Sequence, residues 1–216
     1  YKINGLKFLN KKTKNISENS LILSSLPITL TARLLGFKSE LKFRGVRTVY
    51  IEIKKKYALP KDCHFIYYSS KNIIFNRISE HKKMSPFVAP INKTYLSAEI
   101  SYSKNDKIDK IPFEKIKKII VNDLLAVGLA KKKDVGKISE NKEDFVYPVQ
   151  FTNYKHNLSK VNAKISKFNQ IYSLGTGGEF NYADSNILFN KSIDLVNNLC
   201  SEESMKYQVT KPYNYV

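Results

Sequence analysis

Between residues 44 and 102 the chain repeats one device. Runs rich in β-branched and aromatic residues, Arg44 to Lys54, His64 to Tyr68, Asn72 to Ile78 and Thr94 to Tyr102, alternate with short turn-forming stretches. Such runs read as strands. A parallel pair needs a crossover of a dozen or more residues, usually a helix, and these links are mostly too short for one. The pattern therefore predicts an antiparallel sheet rather than a doubly wound one, and an α+β fold with helices flanking the sheet.

The helices announce themselves outside this stretch. Pro112 opens the clearest, in which Ile116, Ile119, Ile120, Leu124, Val127 and Leu129 recur mostly at three- and four-residue spacings. Lys115, Lys117, Lys118 and Asp123 take the other side, and Lys131, Lys132 and Lys133 are expected to close the helix at the negative end of its dipole. Strands are expected at Asp134 to Ser139 and at Phe145 to Phe151, the second broken at Pro148, then a helix over 157–168. Before the sheet, residues 1–19 read as a short strand and a loop. Leu21 to Ser25 read as a buried strand, and residues 27–35 as a helix ending at Gly36. After it come a strand at Ile171 to Leu174, a glycine loop at Gly175, Thr176, Gly177 and Gly178, and a helix over 186–199 with Asp184 or Ser185 as its N-cap.

The formal net charge of +18 raises the question of a polyanion partner. Only Arg33, Arg44, Arg47 and Arg77 among the 37 basic residues are arginines. Specific readout of bases and phosphates leans on the guanidinium fork that lysine lacks, which argues against nucleic acid. A solvated Lys-rich surface is the plainer reading. Cys63 and Cys200 form no CxxC, and His64, His81 and His156 show no ligand spacing, so no metal is expected. Two separated thiols suit a reducing cytoplasm. No run reaches the roughly 18 apolar residues of a membrane span. The chain opens on Tyr1 with neither an initiator Met nor a hydrophobic leader, which reads as a fragment of a longer product.

A strand, a glycine turn and a capped helix can make an anion or cofactor site, because glycine admits close approach and a helix start offers free N–H groups. Gly175-Thr176-Gly177 is not a dinucleotide fingerprint, since Phe180 holds the place of the third glycine and too little chain follows for a βαβ unit. Two readings stay open: a structural turn without ligand, or a loop touching a cofactor whose phosphates bind elsewhere.

Five segments in collinear order carry a resemblance. Leu174-Gly175-Thr176-Gly177-Gly178-Glu179-Phe180-Asn181-Tyr182-Ala183-Asp184 resembles the C-terminal motif of flavoproteins of the amine oxidase, protoporphyrinogen oxidase and UDP-galactopyranose mutase superfamily. Phe75-Asn76-Arg77-Ile78-Ser79-Glu80-His81-Lys82 resembles the mutase segment in which Thr-Arg precedes a Glu and a Lys. Ser24-Ser25-Leu26-Pro27-Ile28 is similar to the strand end by which these enzymes re-enter their FAD domain, and Lys42-Phe43-Arg44 and Tyr147-Pro148-Val149 also fit.

The resemblance implies the C-terminal half of an FAD-dependent oxidoreductase, with an N-terminal half carrying the ADP-binding fingerprint absent from this chain. Residues 1–36 would return to the FAD-binding domain, 37–168 would form the substrate domain, and 169–216 the FAD-contacting strand, loop and helix. It implies cofactor contacts at Gly175, Gly177, Gly178, Asp184 and Ser185, and substrate contacts at Arg77, Tyr147 and Tyr182. Arg77 would meet a substrate diphosphate, for which a bidentate guanidinium is suited; the competing role is an ion pair with Glu80. No acid or base emerges, as expected where the flavin carries the redox chemistry.

Departures from the mutase pattern redirect the substrate. Thr176 stands where the mutases carry Arg, and Ala183 where they carry a phosphate-binding Tyr. The expected activity is thus an oxidoreductase on a small molecule, a sugar nucleotide or surface-polysaccharide precursor, with a flavin-dependent sugar mutase as the alternative. A non-catalytic Lys-rich module binding RNA or anionic surfaces is the reading from another class. The flavin reading expects the segments 21–25 and 171–175 to lie side by side.

Overall fold

The computed structural model describes residues 1–17 and 19–200. In chain order it contains strands β1 (Gly5–Lys7), β2 (Thr13–Asn15) and β3 (Ile22–Ser24), then helix α1 (Ile28–Leu34). Strands β4 (Phe43–Ile53), β5 (Phe65–Tyr67), β6 (Arg77–Glu80) and β7 (Thr94–Ser103) follow, with helix α2 (Phe113–Ala126) and strand β8 (Val135–Pro148). The tail holds α3 (Tyr154–Ile165), β9 (Ile171–Ser173), α4 (Gly175–Glu179) and α5 (Ser185–Cys200). Two units emerge, Phe43–Val146 on one hand and Tyr1–Lys42 with the chain from Tyr147 onward on the other. No helix among the described residues is long and apolar enough to cross a membrane.

The central unit is a five-stranded sheet in the order β5-β6-β7-β4-β8, with β5–β6, β6–β7 and β4–β7 antiparallel. This is the α+β fold expected of the strand runs. Its register explains the alternation along β7. Leu96, Ala98 and Ile100 lie opposite Ile51, Val49 and Arg47, so they share one face. Onto the apolar cluster of that face pack Ile116, Ile120 and Leu124, spaced four residues apart on α2. Tyr95, Ser97, Glu99 and Ser101 turn to the opposite face.

Three local expectations change. Residues 72–76 form no strand; only 77–80 pair, and the turn before them is held by Asp123, whose carboxylate accepts from the Ile74 N–H at 2.7 Å. Asp123 is accordingly buried on α2 rather than facing solvent. The helix also stops before the lysine run, because Gly128 takes a φ of +75° just beyond the Val127 C-cap. Lys132 and Lys133 fall in a separate 3-10 turn that ends on Asp134, which pairs with Lys55 at 2.8 Å.

The two strands expected near 134–151 are one continuous strand, β8. It runs at a sheet edge, where Pro148 needs no ladder partner for its missing N–H. Its charged middle is satisfied laterally: Glu140 pairs with the buried Arg47, Lys142 with Asp109, and Asp144 with Lys104 at 2.5 Å. The Arg47 guanidinium also donates to the carbonyls of Ile108 and Ile111, tying that loop to the sheet.

The other unit is built from small pieces. β1 and β2 form an antiparallel hairpin, and β3 and β9 a two-stranded parallel pair. Gln170, buried ahead of β9, clamps the N-terminal segment. Its Oε1 accepts from the Ile3 N–H at 2.7 Å, and its Nε2 donates to the carbonyls of Ile3 and Ser17. Among the described residues the buried apolar side chains of this unit are Ile28, Ala32, Leu41, Val161, Ile165 and Phe180.

Candidate functional site

The segments 21–25 and 171–175 do lie side by side. β3 and β9 pair in parallel, with Ile22 opposite Ile171 and Ser24 opposite Ser173, and the Leu174 N–H donates to the Ser24 carbonyl at 3.0 Å. Each strand then runs directly into a helix. β3 passes through Ser25, Leu26 and Pro27 into α1, and β9 passes through Leu174 into α4. The Ser24 hydroxyl and the Thr31 hydroxyl meet at 3.2 Å and are buried, fixing the first of these turns to its helix.

The glycine loop is a turn of helix. Gly175 enters it at a φ of +78°, where any other residue would be strained, and a Cβ there would face open space. The next two glycines answer a different need. A Cβ on Gly178 would sit 3.0 Å from the Ser24 carbonyl oxygen, and one on Gly177 would sit 3.4 Å from the Pro27 Cα. The α4 backbone thus lies directly on the Ser24–Pro27 turn, so the two motifs that resembled flavoproteins in sequence touch in space. Phe180, at the place of the missing third glycine, ends α4 in the left-handed region at a φ of +55° and is buried.

Beyond α4 the chain exposes Tyr182, whose ring centroid lies 5.3 Å from that of Tyr147. Asp184 and Ser185 are exposed at the start of α5, and the Asp184 carbonyl accepts from the Leu188 N–H at 3.1 Å. That bond puts Asp184 at the N-cap of the helix, one of the two residues proposed for it. Lys191 of α5 pairs with Glu179 of α4. At the carboxyl end of β9 the Ser173 hydroxyl is buried with no partner among the described residues.

Arg77 stands in the other unit, on β6, and its partner is not Glu80. It forms an ion pair with Glu99 of β7, its cross-strand neighbour, and lies 3.5 Å from the Tyr67 hydroxyl. The hydrogen bond that the guanidinium donates to Glu99 is the main cause that holds it further above its already high pKa. Its Nε is buried and unpartnered among the described residues. Glu80 is fully buried and accepts from the N–H groups of Ala58 and Leu59 at 2.9 and 2.8 Å. Lys82 is buried too, and its Nζ donates to the carbonyls of Pro90, Ile91 and Lys93. The acid and the lysine of this motif are therefore loop anchors.

Around Arg77 the sheet presents Tyr50, Tyr67, Tyr95, Ser97, Glu99 and Ser101, all on the face away from α2 by register. Single-residue motif matching missed Glu99 and Tyr67. The alternation Tyr95, Ser97, Glu99, Ser101 along β7 was the signal that could have found this face. Chemically it offers one guanidinium, a paired carboxylate and several phenols, a surface fitted to a polar organic ligand rather than to a metal.

No family model matches the sequence, and no curated protein matches it. Among solved structures the fold is that of a reduced UDP-galactopyranose mutase, at 20% identity and a TM-score of 0.73, over 95% of this chain and 46% of that one. A protoporphyrinogen oxidase from Exiguobacterium sp. 255-15 matches at 16% identity and a TM-score of 0.60, over 82% of this chain and 41% of the other. The chain thus spans less than half the length of either structure.

Proposed function

We propose that this chain is the substrate-facing and C-terminal part of an FAD-dependent oxidoreductase. The observation that carries the reading is the parallel pairing of β3 with β9 and the seating of the α4 glycines on the Ser24–Pro27 turn. In open α/β sheets ligands bind beyond the carboxyl ends of parallel strands, and both motifs lie there. The fold shared with the mutase over nearly the whole chain supports the same reading. The residues fit part of a flavin site. Ser173 leaves a buried hydroxyl unpartnered, Gly175 leaves open space above its backbone, and α5 starts nearby in sequence with free N–H groups. They do not fit its phosphates, because the chain lacks a dinucleotide fingerprint.

In this reading residues 1–36 and 169–216 belong with an FAD-binding half supplied by a longer gene product, and 37–168 serve as the substrate domain. Gly175, Asp184 and Ser185 line the flavin, Gly177 and Gly178 support that lining from behind, and Arg77, Tyr147 and Tyr182 contact the substrate. Gly177 and Gly178 act indirectly, by letting α4 approach β3, whereas Gly175 is open to a ligand. The flavin, when bound, supplies the electron transfer. Arg77, oriented by Glu99, would hold an anionic group of a small substrate of the nucleotide-sugar or polysaccharide-precursor class. The better match to the mutase favours a flavin-dependent sugar mutase as the second reading. Cytoplasmic residence belongs to the proposal as well.

Purification of the full-length gene product tests it. The expected result is a yellow protein with a flavin absorbance band, while the 216-residue chain alone takes up FAD poorly. A colourless full-length protein that binds no added FAD would overturn the reading and leave the Lys-rich module in its place.

A further inference from the structure

The loop after β6 is built against expectation. Phe87 is 94% exposed and Ile91 80%, and Met84 and Val88 are exposed beside them. Four large apolar side chains within eight residues are far from the scattered singles a soluble surface normally carries. The loop is also held rigidly. Met84 and Ser85 donate to the His81 carbonyl at 3.0 Å, Lys93 donates to the Pro90 carbonyl at 3.1 Å, and Pro86 and Pro90 restrict the backbone between. From inside, the buried Lys82 ammonium gathers three carbonyls of residues 90–93. A buried lysine spent on holding a greasy loop outward indicates that the exposure is specified.

The surroundings of the loop are cationic. Lys83 lies 4.8 Å from the Tyr57 ring and donates to the carbonyls of Pro60 and Lys61, and Lys56 approaches the same ring at 5.7 Å. Lys61 is exposed beside them. Tyr57 itself is partly exposed and gives this collar an amphipathic aromatic. Four side chains expose on the order of a few hundred Å², short of the roughly 800 Å² per partner that a stable protein interface buries. A second copy of a chain charged +18 would also be repelled.

We propose that residues 84–91 are a membrane-contacting tip for an anionic lipid bilayer. Met84, Phe87, Val88 and Ile91 enter the interface, and Lys56, Lys61 and Lys83 meet the headgroups. Apolar burial and attraction to anionic lipid act together in such peripheral contacts, and neither suffices alone. Because the loop is already ordered, little conformational entropy opposes the contact.

The test uses the full-length gene product with phosphatidylcholine vesicles, with and without phosphatidylglycerol. The protein is expected to sediment with the anionic vesicles and not with the neutral ones, and added salt should release it. Phe87→Ser and Ile91→Ser should each lower partitioning about tenfold or more, and Lys61→Gln about fivefold. Leu9→Ser, at a fully exposed leucine of the other unit, should change nothing and controls for general stickiness. Phe87→Trp places a reporter at this position, and the emission it adds over that of the parent protein should shift to the blue on anionic vesicles. Failure to sediment, sedimentation that survives Phe87→Ser, or equal loss with Leu9→Ser would overturn the proposal. So would blue emission before vesicles are added, which would mean that another protein surface covers Phe87.

Discussion

The central unit and its companion differ in how they finish. In the central unit, Val49, Ile51, Ile53, Leu96, Ala98 and Ile100 of the sheet and Ile116, Ile120 and Leu124 of α2 close on one another. The companion buries only a few apolar side chains and leaves Leu21 ahead of β3, Leu23 of β3, and Phe189, Ile193 and Val196 of α5 exposed. Parallel strands are normally covered on both faces and rarely occur in pairs. The proposed function makes this pair, with Leu23 open to water, one edge of a larger sheet completed by the FAD-binding half.

The largest effects should separate the units by substitution. Ile120→Ala or Leu96→Ala is expected to cost about 2–5 kcal/mol in denaturant unfolding of this chain, as core truncations do. Leu23→Ser and Val196→Ser should stay within about 0.5 kcal/mol here, and Leu23→Ser should become costly in the full-length protein. Equal costs for Leu23 in both settings would break the comparison.

The next effect concerns Glu80. Its buried carboxylate serves two loop N–H groups, so Glu80→Ala leaves both unsatisfied and should cost about 2–3 kcal/mol by chemical denaturation. Gly178→Ala, pressed against the Ser24 carbonyl, should cost about 1–3 kcal/mol. Hydrogen exchange should show the loss around β3 and β9 while the β4 and β7 amides keep their protection.

The smallest effect is in pH. Lys142 and the Asn105 N–H lower the Asp109 pKa, and Lys104 and Tyr102 lower that of Asp144. Folded values below the unfolded ones mean stability that is full above about pH 4 and lost as pH falls through the lowered values. A melting-temperature series should therefore decline below pH 4, less steeply in Asp144→Asn. At the other extreme, burial raises the Tyr102 pKa, so stability should begin to fall once the pH passes about 10, where the unfolded phenol ionises.

Part of the architecture was readable because it is local, though the helix end at Gly128 was not, since the lysine run at 131–133 was expected to close that helix. Leu96, Ala98 and Ile100 show period two, Ile116, Ile120 and Leu124 show period four, and Gly36 marks a helix end by its left-handed φ. β8 was not readable as one strand, because its charged middle is satisfied by Arg47, Lys104 and Asp109, partners 30 or more residues away. Asp123 looked solvent-facing for the same reason, since the Ile74 N–H it serves lies 49 residues upstream. Of the candidate site, the meeting of the glycine segment with Ser24–Pro27 was legible from motif order. The helical form of that segment and the Arg77–Glu99 pair were not.

The residues alone determined β4, β7 and α2, because periodicity and backbone stiffness act within a few positions. They also determined that the tail glycines allow close backbone approach. Which partner each buried charge would take, and that Gly178 would press on Ser24, was decided only in three dimensions. Ion pairs and backbone packing depend on register between distant strands, and a one-residue slip in that register would exchange every partner.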